Sequence, residues 1–197
     1  MFRLGVNEQT VSSQKKSDGL VIVSCSSFIP LKRVNLIVDI LKSIQTKVKW
    51  IHFGDGPLMN EVKQKAVKEL GENIISEFKG YVRHDDVIRF YKENYVDLFV
   101  NVSELEGIPV SIMEAISFGI PVTGCNICGV PEIVTSQTGF LWDVNFKPKE
   151  AAKQIESYLT VEESKKEELR SSAKNFWNEN FNADKNYKAF IKDRFLN

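Results

Sequence analysis

Short apolar runs alternate with stretches of helical periodicity along most of this chain. Leu20–Cys25 is nearly continuous in Val and Ile and predicts a buried strand. Val34, Ile37, Val38, Leu41 and Ile44 then recur at helical spacing. Val48–Phe53 predicts a second strand, closed by Gly54-Asp55-Gly56-Pro57, and a helix follows over 58–70. Ile74–Phe78 and the runs 96–100, 120–125 and 140–142 predict four more strands. Helices are expected from 85–91, after Pro109 and near Val130-Pro131-Glu132, and two or three more close the chain. Residues 7–19 are polar and aperiodic, so 1–18 reads as a linker or partly disordered lead-in and 19–197 as one domain.

Strand–helix alternation with unbroken apolar strands indicates a parallel sheet covered on both faces. The expected fold class is α/β: a doubly wound, mostly parallel six-stranded, Rossmann-like sheet with extra C-terminal helices. Ligands of such sheets bind beyond the carboxyl ends of the strands. The loops at 25–33, 54–57, 79–84, 101–109 and 125–130 are therefore where chemistry is sought.

The most informative stretch is Glu106-Gly-Ile-Pro-Val-Ser-Ile-Met-Glu114, running on to Gly119-Ile120-Pro121. Pro109 suits the first helical position, and Gly119 suits the residue after the last turn. Glu106 is then on the loop before the helix, and Glu114 about one and a half turns inside it. The amides of Val110, Ser111 and Ile112 are expected to point outward and, with the helix dipole, to suit an anion such as phosphate. Carboxylates repel an anion, so Glu106 and Glu114 are expected to accept hydrogen bonds from neutral hydroxyls. An anion between two hydroxyl-binding carboxylates describes a sugar–phosphate–ribose ligand.

Composition narrows the partners. The 26 Lys and Arg balance the 26 Asp and Glu, so nothing asks for nucleic acid or an anionic surface. No apolar run is long enough to span a membrane, and the opening Met-Phe-Arg-Leu-Gly-Val lacks the apolar core of a signal peptide. Three cysteines, Cys25, Cys125 and Cys128, give no disulfide framework and fit a reducing cytosol.

Other candidate residues have simpler roles open to them. Lys32 and Arg33, after the first strand, are placed to meet a phosphate or merely to solvate a helix start. Gly54-Asp55-Gly56 lacks the third glycine of a dinucleotide fingerprint, because position 59 is Met. It reads better as a tight turn, with a close ligand approach left open at Gly54. His84 is expected to be solvated and His52 to be packed. Cys125-x-x-Cys128 has no partner pair, so a metal or redox role is not expected.

Together these pieces resemble the C-terminal, donor-binding half of the retaining GT-B glycosyltransferases of family 4. The resemblance rests on Glu106…Glu114 followed by Ala115-Ile116-Ser117-Phe118-Gly119-Ile120-Pro121-Val122. It rests also on Val21…Pro30-Leu31-Lys32, Phe53-Gly54-Asp55-Gly56-Pro57-Leu58, Phe78-Lys79-Gly80-Tyr81-Val82, Gly129-Val130-Pro131-Glu132-Ile133-Val134 and Thr138-Gly139-Phe140-Leu141, all in family order. It covers about residues 19–190.

The resemblance implies roles. Glu106 and Lys32 would be the catalytic pair, Glu106 on the sugar hydroxyls and Lys32 on the diphosphate. Gly107, Ile108, Val110 and Ser111 would offer backbone to sugar and phosphate, and Glu114 would bind the ribose. Backbone around Tyr81 and Val82 would receive the base, and Gly54 would be among the donor-contacting positions. Ser27 stands where members usually carry arginine, and Arg33 where glycine is usual; both would lie against the donor. No metal or cofactor is implied, only a nucleotide-diphosphate sugar as substrate. The implied protein is a cytoplasmic hexosyltransferase acting on a glycan or lipid-linked acceptor. Its N-terminal acceptor half is missing here, so the fragment is expected to be inactive alone. Attachment to the inner face of the membrane, if any, would fall to that missing half. The alternatives are a non-catalytic nucleotide-sugar-binding module, or another GT-B enzyme such as an epimerase or phosphorylase.

Overall fold

The computed structural model of the chain describes residues 4–10, 14, 16 and 19–195. Six strands are present: β1 (Leu20–Cys25), β2 (Val48–Phe53), β3 (Ile74–Phe78), β4 (Leu98–Val100), β5 (Val122–Cys125) and β6 (Gly139–Trp142). They form one sheet in the order β3-β2-β1-β4-β5-β6, and every neighbouring pair is parallel. The helices are α1 (Asn35–Leu41), α2 (Met59–Glu69), α3 (His84–Glu93), α4 (Val110–Ser117), α5 (Pro148–Leu159), α6 (Glu163–Asn180) and α7 (Ala183–Phe195). Single 3₁₀ turns sit at Pro30–Lys32 and Val130–Glu132.

Alternation along the strands divides the core in two. Val21 and Val23 of β1 face one side, with Tyr91 of α3, Ile112 and Ile116 of α4 and Trp177 of α6. Ile22 faces the other side, with Ile37 and Leu41 of α1, Val62 of α2 and Ile155 of α5. Helices on both faces explain why the strands read as unbroken apolar runs. β4 and β5 are shorter than the runs at 96–100 and 120–125. The Val21 amide goes to the Asp97 carboxylate at 2.7 Å rather than to a backbone carbonyl, and Pro121 has no amide to give.

The polar lead-in packs on the domain where it is described. Val6 exchanges backbone hydrogen bonds with Phe181 and Ala183 at 3.0 and 3.1 Å. The Gln14 amide donates to the Tyr91 carbonyl, and Lys16 pairs with Glu163. The rest of the expected 1–18 linker lies outside the described residues.

A buried polar chain braces the carboxyl ends of β1 and β2. The Trp50 indole N–H donates to Ser24 Oγ at 2.8 Å, and Ser24 Oγ meets His52 Nδ1 at 2.7 Å. His52 Nε2 lies 3.0 Å from the Ser26 carbonyl, an acceptor, which places the ring proton on Nε2. His52 is fully buried, and burial pushes its pKa down to about 4. It is a packed histidine, as its place in a strand suggested. Gly54 completes this corner at φ 140, and its amide bonds the Gly80 carbonyl at 2.9 Å. A Cβ at Gly54 would lie 1.9 Å from the Ser26 carbonyl oxygen. The close approach here is made by the chain itself.

Two expectations follow. Gly54→Ala combines a backbone clash with a left-handed φ, and should destabilise by about 2 kcal/mol or more in urea unfolding. His52 takes up its proton more readily in the unfolded chain than in the folded one. Stability should therefore be full above the ordinary histidine value and fall as pH drops toward about 4. Unfolding midpoints across that window should show a loss of at most about 3 kcal/mol, flattened in His52→Gln.

Candidate functional site

The strand order reverses between β1 and β4, so the loops leaving their carboxyl ends run to opposite faces and open a crevice. The β1 loop carries Ser27, Lys32 and Arg33, and the β4 loop carries Asn101, Glu106 and Gly107. The loops are tied directly, because the Glu104 amide donates to the Leu31 carbonyl at 2.9 Å. Across that tie, Lys32 Nζ meets Glu106 Oε1 at 2.6 Å. Their side chains are 22% and 12% exposed, so the pair is largely withdrawn from water. Asn101, buried at the foot of the loop, donates to the same Glu106 oxygen at 3.3 Å.

Arg33 sits beside this pair but faces elsewhere. Its guanidinium donates to the Val102 and Val144 carbonyls at 2.8 and 2.9 Å, and lies 3.3 Å from Cys125 Sγ. One side chain thereby links the ends of β4, β5 and β6. The residue has φ 47, the left-handed region that favours glycine. Three side-chain contacts hold it there. Ser27 is exposed at the start of the loop, and its carbonyl accepts the Ile29 amide.

The α4 helix begins one residue later than expected. Pro109, extended at φ −73 and ψ 121, is the N-cap rather than the first helical residue. Its carbonyl accepts the amides of Ile112 and Met113. Of the three amides expected to face outward, Ile112 is thus engaged within the helix. Val110 and Ser111 are left at the open end, with no backbone acceptor among the described residues. At the other end Gly119 has φ 69 as expected, and Gly119 and Ile120 donate back to Ile116 and Ala115. Gly107 is exposed, with open space where a Cβ would be, while Ile108 packs against the core.

Glu114, one turn in, is only 6% exposed. Burial raises the pKa of its carboxyl, and a hydrogen bond from His84 opposes that rise. His84 Nε2 lies 2.6 Å from Glu114 Oε1. His84 is the first residue of α3, at the end of the loop that carries Tyr81 and Val82. Tyr81 is 81% exposed, whereas Val82 packs against the core. The structure therefore brings together Lys32 with Glu106, and Glu114 with a histidine that its sequence position marked as merely solvated. Asn101 opens the 101–109 loop, but no motif singled it out there. It is recognisable only once β4 is known to end beside it.

All three cysteines are free, and burial raises the pKa of Cys25 to about 11 and that of Cys125 upward. Cys125 is buried and Cys128 exposed, so the pair does not share one surface. No group of three or more His, Cys, Asp or Glu arranged for a metal ion occurs among the described residues. No helix among them is long and apolar enough to cross a membrane.

Known proteins place this geometry in a family. The N-acetyl-alpha-D-glucosaminyl L-malate synthase of Bacillus anthracis is 31% identical over 127 residues, 63% of this chain and 32% of its own. The phosphatidylinositol N-acetylglucosaminyltransferase gpi3 subunit of Schizosaccharomyces pombe is 29% identical over 133 residues, 66% of this chain and 28% of its own. The chain thus spans about a third of the length of these relatives.

Solved structures share the fold at lower identity. A mutant of S. aureus TarM, crystallised with fondaparinux, alpha-GlcNAc-glycerol and UDP, superposes with a TM-score of 0.79 at 18% identity, over 95% of this chain and 38% of that one. Anabaena Alr3699/HepE in complex with UDP-glucose gives 0.74 at 22% identity, over 89% and 48%. The catalytic domain of the Helicobacter pylori cholesterol-alpha-glucosyltransferase gives 0.64 at 20% identity, over 81% of this chain and 99% of that one. The sheet is of the GT-B type these proteins share. The model of the family described as glycosyl transferases group 1 matches residues 6–176, and the chain belongs to that family.

Proposed function

We propose that this chain is the donor-binding half of a retaining glycosyltransferase that moves a hexose-type sugar from a nucleotide diphosphate to a glycan or lipid-linked acceptor. The observation that carries the reading is the Lys32–Glu106 contact of 2.6 Å at the strand-order reversal. A half-buried ammonium against a carboxylate is a poised pair. An arriving diphosphate offers Lys32 a doubly charged partner, and Glu106 is then released to accept hydroxyls from the sugar. The leaving diphosphate is stabilised by Lys32 and by the Val110 and Ser111 amides at the positive end of α4. Gly107 and Ile108 bring backbone to the sugar, and Glu114 accepts from the ribose hydroxyls. Tyr81 and Val82 frame the base, and Ser27 lines the phosphate side.

UDP or UDP-glucose in the structural relatives named above supports a nucleotide donor. A second set of observations supports dependence on another half. Leu31, Tyr81 and Leu105, on segments that follow the carboxyl ends of the strands, and Val110, the first residue of α4, are exposed apolar side chains at that edge. The final helix, α7, buries none of its residues. One observation favours the alternative of a non-catalytic binding module: Arg33 is engaged with backbone carbonyls, so the diphosphate would rely on Lys32 among the described cations of the two loops.

Calorimetry and melting with UDP test the reading. UDP at a hundred times Kd should stabilise the domain by about 2.7 kcal/mol, a melting shift of roughly 5–10 °C. Lys32→Ala and Glu114→Ala should each weaken UDP binding by about tenfold or more, since each removes a charge-assisted contact. Unchanged affinity in both would overturn the donor site. The isolated chain should show no sugar transfer above hydrolysis. Transfer should appear when it is joined to the rest of its protein, with the anomeric configuration of the donor kept in the product as read by NMR. An inverted product would exclude the retaining assignment, and donor binding without transfer by the full protein would favour the binding module.

A further inference from the structure

Glu114 presents a problem that the proposed ribose contact does not resolve. The residue is 6% exposed, and a buried carboxylate without a partner tends to take up a proton or turn toward water. Its own helix offers no compensating side chain: Ser117 Oγ bonds the Glu114 backbone carbonyl at 2.7 Å, not the carboxylate. The groups beneath it are Tyr91 and Cys25, both close enough to feel its charge. Burial raises the pKa of each, so both stay neutral and neither offsets the carboxylate. The Tyr91 hydroxyl has no hydrogen-bond partner among the described residues. His84, arriving from α3, is the group that meets Glu114, with Nε2 2.6 Å from Oε1.

The histidine is itself oriented. It is the first residue of α3, behind an extended Arg83, so its ring leaves the helix start toward α4. Asp85 Oδ1 lies 3.8 Å from Nδ1, on the far side of the ring from Glu114. The imidazole is 67% exposed and faces solvent over the crevice, while the carboxylate it holds is buried. Contact on Oε1 leaves Oε2 and a second lone pair of Oε1 for outside donors.

We propose that His84 is a positioning residue of the nucleotide site, which holds the Glu114 carboxylate ionised and turned so that it can accept both hydroxyls of a ribose. This inference rests on the ribose role proposed for Glu114. A vicinal diol donating two hydrogen bonds needs a carboxylate that is charged and fixed in rotation. A protonated Glu114 has one acceptor fewer and would present a donor to one hydroxyl. His84 would thus act on affinity through the sugar hydroxyls alone, and not through the base or phosphates.

The test compares UDP with 2′,3′-dideoxyuridine diphosphate by calorimetry, using the whole chain and its His84→Ala and His84→Gln variants. His84→Ala should weaken UDP by roughly tenfold, the scale of one charge-assisted hydrogen bond, and leave the dideoxy ligand unchanged. His84→Gln keeps an N–H donor for the carboxylate and should recover most of the UDP affinity. Equal weakening of both ligands by His84→Ala would overturn the proposal, as would a glutamine no better than alanine. UDP affinity untouched by His84→Ala would overturn it while leaving the nucleotide reading intact. A wild-type chain that binds no UDP would remove both readings together. Melting curves of the variants without ligand separate a folding defect from a binding one, and an exposed ring predicts curves close to wild type.

Discussion

The reversal of strand order between β1 and β4 is the constraint from which the candidate site follows. Two loops that diverge to opposite faces leave an opening lined by backbone, and backbone cannot be left unpaired there. The chain closes the gap with Glu104 to Leu31, with Arg33 to Val102 and Val144, and with Lys32 to Glu106. Each tie runs from the β1 loop to a different point on the other side. On the proposed reading, the charged pair is the tie that an anionic ligand can replace in kind. The carbonyl ties of Arg33 have no such substitute, so Arg33 holds the frame while Lys32 is the exchangeable member. Adjacent cations of identical charge thus have separate physical positions, set by one left-handed residue.

The floor under this opening is rigid for a different reason. Trp50, Ser24, His52 and Ser26 form a continuous buried hydrogen-bonded chain, and Gly54 lets the Ser26 carbonyl approach the β2 turn. A buried network that is fully paired resists local opening, because breaking one member strands the rest in low dielectric. The loop carrying Lys32 therefore starts from a fixed point, and the buried Phe28 and the Glu104–Leu31 tie hold it further along.

The fold was legible because its signal is periodic and repeated. β1, β2 and β3 have the expected bounds, and the single-register apolar runs already implied cover on both faces. The placement of Lys32 and Glu106 after strands and of Glu114 inside a helix was legible from spacing; their roles rest on the proposal. What escaped was tertiary. Nothing in the sequence around His84 distinguishes a solvated loop histidine from one aimed at Glu114, since the meeting depends on α3 and α4 sharing a face of the sheet. Arg33 looked like a second phosphate ligand because its direction is decided by a φ of 47 and by carbonyls far along the chain. The amide of Ile112 was miscounted for a local reason, a helix start shifted by one residue at Pro109.

The two acids of α4 and its entry loop, alike in charge, are held in opposite electrostatic settings. Glu106 faces a permanent cation and a buried amide at the mouth of the crevice. Glu114 is enclosed by neutral groups and meets one imidazole, which is itself largely exposed. The first arrangement sets a carboxylate beside a cation, which suits a group next to charge that develops during bond breaking. The second leaves the carboxylate with one side-chain partner and otherwise neutral surroundings, which suits recognition of neutral hydroxyls. On the proposed reading, this asymmetry separates the reacting end of the donor from the end that is only held.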